Sequence, residues 1–493
     1  MEERTGTKGV KRELMLIDGE WKGSADGRFI PVENPAKKGS VIGEVPSATV
    51  ADVDMAVKAA AKAFETWKRV PARERGKIML KIADAMEAQC EELTRLLALE
   101  TGNAIRTQSR PEAVNTVDVF RLYGGFGSEL KGETIPLGEQ VLCYTRREPL
   151  GVVAGIIPWN SPLILGAIKI AMALTAGNTM VLKPATDAPL TVLLMAKICA
   201  AHLPKGVLNV VTGLGSECGA ALAKHPMVNK LSLTGSTDSG KSVMLAAADR
   251  IVPVTLELGG KSPQIVFPDA FDDQTVQSVI NGMRFTRQGQ SCTAGSRLFL
   301  HASIFDAFMS KLVEKVSILK IGDPLDEATD IGTVINRKQF DMVCSYIKNG
   351  LEQDGAKLAM GGLPPAEGPL AGGYFLEPTV FTNIKNEWRI AREEVFGPVL
   401  VAIPWETEEE AIRMANDSHY GLAGYVYSHD IAKALRAAHG IESGYVQINQ
   451  GFGVANATSY GGFKQSGIGR EFSLEGMLDS YTQRKTVTIN LMY

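Results

Sequence analysis

Cys292 lies in Gly289-Gln290-Ser291-Cys292-Thr293-Ala294-Gly295, a thiol among small residues in a glycine-bounded turn. Glu257 lies in Leu256-Glu257-Leu258-Gly259-Gly260-Lys261, an acid among apolar neighbours. An approachable thiol can attack a carbonyl carbon, and a carboxyl group in apolar surroundings can be tuned as a general base. Together they read as a nucleophile and the base that clears its acyl adduct. Singly, neither is informative: a cysteine in an apolar chain is commonly a packed small hydrophobe, and a glutamate commonly a solvated charge. Asn160, in Ile156-Ile157-Pro158-Trp159-Asn160-Ser161-Pro162, adds an amide able to donate to an oxyanion. Alone it would read as a turn cap.

These groups need elements to hold them. Prolines bracket Asn160 after the apolar run 151–157, so the amide is expected just beyond the carboxyl end of a buried strand. Strand-like runs at 151–157, 179–183, 207–212, 230–233 and 252–257 alternate with helical stretches at 163–176, 189–202, 217–225 and 239–250. That rhythm predicts a doubly wound parallel sheet. Upstream, 53–67 and 73–101 carry apolar residues at helical spacing and should pack beside this sheet. A second alternating region starts after Gly260, carries the thiol and runs to about residue 465. The segments 133–148 and 486–491 read as β-rich with no obvious partner, and exposed edges of that kind seek one.

Two loops suit a dinucleotide. Gly213-Leu214-Gly215-Ser216-Glu217-Cys218-Gly219 follows a strand, a weak glycine-rich signal by itself. Thr234-Gly235-Ser236-Thr237-Asp238-Ser239-Gly240 joins a strand to a helix, where amides and hydroxyls can meet a pyrophosphate.

Charge is balanced, with 52 basic against 55 acidic residues and no basic stripe, so neither nucleic acid nor a membrane surface is an expected partner. Six irregularly spaced cysteines without a CxxC motif suit neither a disulfide framework nor a zinc site; no metal is expected, and a reducing cytoplasm is. The charged start Met1-Glu2-Glu3-Arg4-Thr5 leads into no apolar run, so no signal peptide is expected. The apolar stretch 163–176 is interrupted by Lys169 and falls short of the roughly 20 residues that span a bilayer.

In these segments the chain resembles the aldehyde dehydrogenase superfamily, from about Ile17 to the C-terminus. The matching motifs occur in the family's order. They are Pro158-Trp159-Asn160, Lys183-Pro184-Ala185, Thr234-Gly235-Ser236-Thr237 with Gly240, Leu256 to Lys261, Gly289 to Arg297, Glu394-Val395-Phe396-Gly397-Pro398, and Gly461-Gly462-Phe463-Lys464 with Gly469-Arg470-Glu471. The resemblance implies an α/β fold: a Rossmann-like, doubly wound cofactor domain (1–128 and 149–258), an α/β catalytic domain carrying Cys292 (259–465) and a small β oligomerisation arm (129–148 and 479–493) that builds a homodimer or homotetramer. It also implies NAD(P)-dependent oxidation of an aldehyde through a thiohemiacetal and a thioester on Cys292. The oxyanion would be held by Asn160 and the Cys292 backbone N–H, and Glu257 would activate the hydrolytic water. Members that pass the acyl group to coenzyme A lack this glutamate, so hydrolytic release is expected. An inactive binding or structural relative would require a damaged set of three, and all three are present. A redox-free cysteine hydrolase would need a histidine partner, and no histidine here lies in such a motif.

By the same resemblance the cofactor is met by Ile156, Trp159, Lys183 at the adenosine ribose, Gly215, Gly219, Gly235, Ser236 at the pyrophosphate, Glu394 at the nicotinamide ribose and Phe396 beside the ring. Without it, Lys183 would read as a surface lysine and Glu394 as a solvated helix end. Many NAD-preferring members carry glutamate where this chain has Thr186. Without that carboxylate to accept from the ribose hydroxyls and repel a 2′-phosphate, NADP should be tolerated or preferred, with Asp187 the neighbour able to restore the charge. Ser161, Leu165, Ile168, Val454 and Tyr460 are expected in the substrate pocket, with Phe285, Ser291 and Thr293 around the thiol. That mostly apolar lining suits an aromatic or medium-chain aldehyde. Semialdehyde dehydrogenases that grip a distal carboxylate place arginines where this chain has Ile168 and Thr286; Arg287 is one position off, with Thr286 expected to face the pocket. A carboxylate-bearing semialdehyde is the alternative substrate.

Overall fold

Apolar runs too short for helices become, in the computed structural model, the strands of a sheet buried on both faces. Residues 10–492 are described; the N-terminal stretch read for a targeting signal and Tyr493 lie outside them. Five parallel strands stand in the order Val254–Glu257, Lys230–Thr234, Val152–Ile156, Thr179–Lys183, Leu208–Val210. The chain winds one way from Val152–Ile156 and then returns to its other side at Lys230–Thr234. Ligands of open α/β sheets bind beyond the carboxyl ends at such a reversal.

Helices cover this sheet. Pro162–Ala176 starts with a proline, whose missing N–H costs nothing there, and stops at Gly177, whose φ of 97° few other residues adopt. Leu190–Ala200 and Thr237–Ala248 follow the next strands. Upstream, Val50–Trp67, Ala72–Glu87, Cys90–Thr101 and Arg110–Gly125 pack Trp67, Met79, Phe120 and Tyr123 into the same core as Leu163, Ile170, Met172 and Leu193. The stretch 73–101, read from its helical spacing, holds two helices that meet at Ala88 and Gln89. The sheet is also wider than the sequence rhythm indicates. Met15–Ile17 pairs antiparallel with the strand at Leu208–Val210, and Gly467–Ile468 with Val254–Glu257. Strands of two or three residues carry no alternation to read.

A second sheet has seven strands in the order Lys357–Met360, Thr379–Thr382, Val399–Trp405, Arg297–His301, Pro263–Val266, Ala423–Tyr427, Tyr445–Ile448, parallel except at Lys357–Met360. The chain crosses from the first sheet to the second between Glu257 and Pro263, and has returned by Gly467.

The two β-rich segments read as partnerless are partners of one another. Val141–Pro149 pairs with Thr482–Asn490 along nine residues, from Val141 opposite Asn490 to Pro149 opposite Thr482, and with Thr134–Pro136 on its other side. A pairing across more than three hundred residues of chain leaves no local signal, which is why each half looked alone. Leu137, Leu142, Ile489 and Leu491 remain exposed on this small sheet. None of the helices among the described residues is long and apolar enough to cross a membrane.

Candidate active site

Strand register sets the first line of the site. Ile156 stands opposite Lys183 and Leu233, and Thr234 opposite Glu257, so these residues share the carboxyl edge of the first sheet. Beyond that edge the chain turns through Gly259 and Gly260 into the second sheet. A Cβ at Gly260 would collide with the Cys292 carbonyl oxygen, so this glycine lets the base's loop lie directly on the nucleophile's turn. The returning chain fastens the crossing: Leu258 N donates to Ser466 O at 2.9 Å, and Ser466 Oγ donates to Gly259 O at 2.6 Å.

Cys292 is half-buried, and its Sγ lies 3.4 Å from the Tyr460 hydroxyl. Burial pushes the thiol up to about 11; the Tyr460 hydrogen bond opposes this, and the carboxyls of Glu394 and Glu257 add to it. Glu257 is 4% exposed, and neither of its carboxyl oxygens has a hydrogen-bond partner among the described residues. Its pKa is raised well above the usual carboxylate range by burial first and by Glu471 second, against the opposing charges of Lys169 and Arg470. Lys169 and Glu471 form a buried ion pair at 2.7 Å, with Ser232 Oγ donating to the same carboxylate oxygen at 3.1 Å. The Asn160 amide Nδ2 donates to Gln290 O at 3.0 Å, two residues before the thiol, while Asn103 Nδ2 donates to Asn160 O at 3.3 Å. An amide nitrogen carries two N–H groups, so the second is available to a developing oxyanion.

The residues assigned by resemblance to a dinucleotide gather on the same edge. Lys183 is buried, with burial lowering its pKa, and Nζ donates to Pro184 O at 2.8 Å. The turn Gly215–Gly219 runs beside it, and a Cβ at Gly219 would touch the Lys183 side chain. Thr186 Oγ1 donates to Gly213 O at 3.1 Å, and Asp187 Oδ1 accepts from Asn336 Nδ2 at 3.0 Å. Gly235 N donates to Glu257 O, and Ser236 caps the helix Thr237–Ala248 by accepting from Ser239 N. Trp159 and Phe396 meet edge to face at 5.3 Å, and Gln339 Nε2 holds Phe396 O at 2.8 Å. Glu394 is not a solvated helix end. It folds back so that Oε1 accepts from Gly260 N at 3.0 Å, and burial raises its pKa to about 7 against the pull of that N–H and of Lys261.

The pocket wall differs from the apolar one expected. Tyr460 meets the thiol, Leu165, Val454 and Cys292 pack against the core that holds Tyr460, and Ser161 is met by Arg287, whereas Ile168 and Phe285 are wholly buried in two cores. Ser291 Oγ and Thr293 Oγ1 lie 3.1 Å apart beside Cys292. The Thr286 hydroxyl accepts from Gln108 Nε2 at 2.7 Å, and Arg287 meets the same glutamine. The Arg287 guanidinium donates to Ser161 Oγ, to Gln108 Oε1 at 2.9 Å and to the buried Glu112 Oε2 at 3.1 Å. Left-handed residues stand on either side of the short turn that carries Arg287, Arg284 at φ 60° and Gln288 at φ 53°. Glu112 also accepts from Leu163 N at 3.2 Å, tying Arg287 to the start of the helix that carries Leu165.

Sequence reading gave no role to Asn103, Glu112, Lys169 or Glu471. Lys169 carried a usable signal, since a lysine inside an otherwise apolar buried helix requires a buried counter-charge. Among the described residues no cluster of three or more His, Cys, Asp or Glu side chains is placed to hold a metal ion. A surface cleft of about 630 Å³ lined by Asp354, Lys385, Trp388, Pro404 and Arg413 contains none of the candidate residues.

The chain matches the model of the aldehyde dehydrogenase family over residues 21–487. It is 41% identical over 488 residues to retinal dehydrogenase 2 of Homo sapiens, covering 98% of this chain and 92% of that protein. It is 42% identical over 487 residues to hydroxyisobutyraldehyde dehydrogenase of Mycolicibacterium austroafricanum, covering 98% and 95%. The solved NAD+ complex of an aldehyde dehydrogenase from Bacillus cereus superposes with a TM-score of 0.94 at 39% identity, covering 98% of this chain and 97% of that one. Likeness of this depth, along nearly the whole of both partners in sequence and in fold, means that the chain belongs to the aldehyde dehydrogenase family.

Proposed function

We propose that this enzyme oxidises an aldehyde to its carboxylic acid with NAD or NADP, using Cys292 as nucleophile, Asn160 as oxyanion donor and Glu257 as the base for hydrolysis. The observation that carries the reading is the joint placement of all three around one turn: Gly260 lies on the Cys292 carbonyl, Asn160 is bonded to Gln290, and Glu257 stands unbonded beside them. A dinucleotide fits the first sheet's edge. The buried Thr234 hydroxyl there has no partner among the described residues, and the Lys183 ammonium has three N–H groups with Pro184 O as its recorded acceptor. Lys183, Thr234, Ser236 and Glu394 would hold it, with Trp159 and Phe396 beside the ring.

In this mechanism the Cys292 thiolate adds to the aldehyde carbon, and the oxyanion is met by the Asn160 amide and the Cys292 backbone N–H. A nicotinamide held by Glu394 and Phe396 would supply the hydride acceptor that the oxidation needs, and Cys292 Sγ keeps the acyl group as a thioester. Glu257 takes a proton from water as its oxygen adds to the thioester carbon, the C–S bond breaks, and the carboxylic acid departs with Cys292 restored. Burial first and Glu471 second keep the Glu257 proton affinity high, so the base becomes available only above the pH at which an ordinary carboxyl group ionises.

The apolar part of the wall, Leu165 and Val454, favours an aromatic or medium-chain aldehyde. Arg287 against Ser161 favours a second reading, an aldehyde bearing a carboxylate or other acceptor, with Glu112 already neutralising part of that guanidinium. We also propose the domain division stated above, assembly into a dimer or tetramer through the small three-stranded sheet, and residence in the cytoplasm, where its six unpaired cysteines would stay reduced. Cys292→Ala should abolish aldehyde-dependent cofactor reduction while cofactor binding persists; near-normal turnover would overturn the assignment. A panel of aromatic, aliphatic and carboxylate-bearing aldehydes on wild type and Arg287→Met separates the two substrate readings. Only carboxylate-bearing substrates should lose kcat/KM in the variant if the second holds.

A further inference from the structure

Tyr460 is 4% exposed, and its ring is wedged edge-on between Tyr445 at 5.8 Å and Phe472 at 5.3 Å. Its backbone is fixed to Glu471 by two hydrogen bonds, Tyr460 N to Glu471 O at 3.1 Å and Glu471 N to Tyr460 O at 2.8 Å. The phenol is therefore immobilised, and its oxygen rests 3.4 Å from Cys292 Sγ. Phenylalanine would fill the same apolar space without the cost of desolvating a hydroxyl, so wall-filling leaves the hydroxyl unexplained.

We propose that the Tyr460 hydroxyl is a further catalytic group, donating a hydrogen bond to Cys292 Sγ that stabilises and aims the attacking thiolate. This rests on Cys292 being the nucleophile. The electrostatics agree with it. Burial and charge on the Glu394 and Glu257 carboxyls disfavour the thiol's anion, and the phenol is the largest influence that favours it. Burial, with Cys292, Glu257 and Tyr425 as neighbours, raises the Tyr460 phenol well above its ordinary value, so it keeps its proton and remains a donor. When Cys292 ionises, its proton passes to water, the electron pair stays on sulfur, and O–H···S⁻ replaces a neutral contact. When sulfur adds to the aldehyde carbon, that pair becomes the C–S bond and the donor is released.

The test is the pH dependence of inactivation by iodoacetamide on the full-length enzyme, with the labelled residue mapped by mass spectrometry. Tyr460→Phe keeps the ring and removes the donor. The inflection should move up by about one pH unit, making alkylation at a fixed lower pH roughly tenfold slower. Replacing Tyr460 site-specifically with 3-fluorotyrosine, a stronger donor of nearly the same shape, should move the inflection down. An unmoved inflection in folded Tyr460→Phe, with the label on Cys292, overturns the proposal. Should Tyr460→Phe not fold, the fluorinated protein decides alone, and absence of a downward shift overturns it. Turnover surviving in Cys292→Ala instead removes the nucleophile assignment, a failure distinguishable from that of Tyr460.

Discussion

Glu257→Gln should remove hydrolysis and, at the same time, reshape how stability varies with pH. The Glu257 carboxyl is 4% exposed, its oxygens lack partners among the described residues, and burial and Glu471 hold its pKa well above the ordinary range. A carboxyl group with a raised folded pKa binds its proton more firmly in the native state than in the unfolded chain, where the pKa is about 4.3. Its stabilising contribution is therefore present below that value and is lost as pH rises through the folded pKa, by at most about 1.4 kcal/mol per pH unit. Glutamine matches the shape and the unmet hydrogen-bonding demand but does not titrate. The absolute cost of burial thus cancels in the comparison, and the slope remains. Across the range from that unfolded value up to the raised folded pKa, the wild type should therefore lose stability relative to the variant. Denaturant midpoints for both proteins across that range measure it. Intact mass spectrometry with substrate and cofactor should show acyl-enzyme on Cys292 in the variant. Parallel stability profiles together with normal turnover would refute the reasoning.

Other perturbations reach the remaining parts. Thr186→Glu should shift the kcat/KM ratio toward NAD by roughly tenfold to a hundredfold, the worth of a charge-assisted hydrogen bond plus repulsion of a 2′-phosphate. Asp187 accepts from Asn336 while its charge reaches Lys183, and an NAD-only wild type unaffected by the substitution would count against the argument. Lys169→Met should cost about 3–5 kcal/mol by stranding buried Glu471, with Glu471→Gln restoring much of it; a single variant that melts like wild type contradicts this. Deleting residues 486–493 removes much of the Thr482–Asn490 strand and should yield smaller or aggregating species in light scattering, whereas a monomeric wild type ends the assembly proposal.

The doubly wound sheet was legible because each buried strand is a short apolar run followed by a helix, and observed bounds differ from the sequence reading by a residue or two, as at Leu208–Val210. Cys292, Glu257 and Asn160 could be picked out as candidates only as a set, and the structure gathers them around one turn. What escaped depends on direction or distance. Arg287 reaches Ser161 and Glu112 from a turn flanked by two left-handed residues, and no periodicity encodes those contacts. The partner of Val141–Pro149 lies at the far end of the chain. Tyr460 could be placed near the thiol, but its hydroxyl contact arises from a backbone pairing with Glu471 that leaves no spacing rule.

The double crossing between the sheets has a mechanical meaning. Glu257 belongs to one sheet and the Cys292 turn leads into the other, yet the two passages of chain between them are stapled where Ser466 holds Gly259 and Leu258. Ser466 Oγ also accepts from Gly421 N at 2.9 Å, so the staple reaches a second stretch of the thiol-bearing half. The halves are thus joined like the covers of a book whose spine runs beside the base, and the bonds from Asn160 to Gln290 and from Arg287 to Glu112 clasp the covers again beyond the thiol. The distance between base and nucleophile is therefore set by the join between the halves and not by either sheet alone.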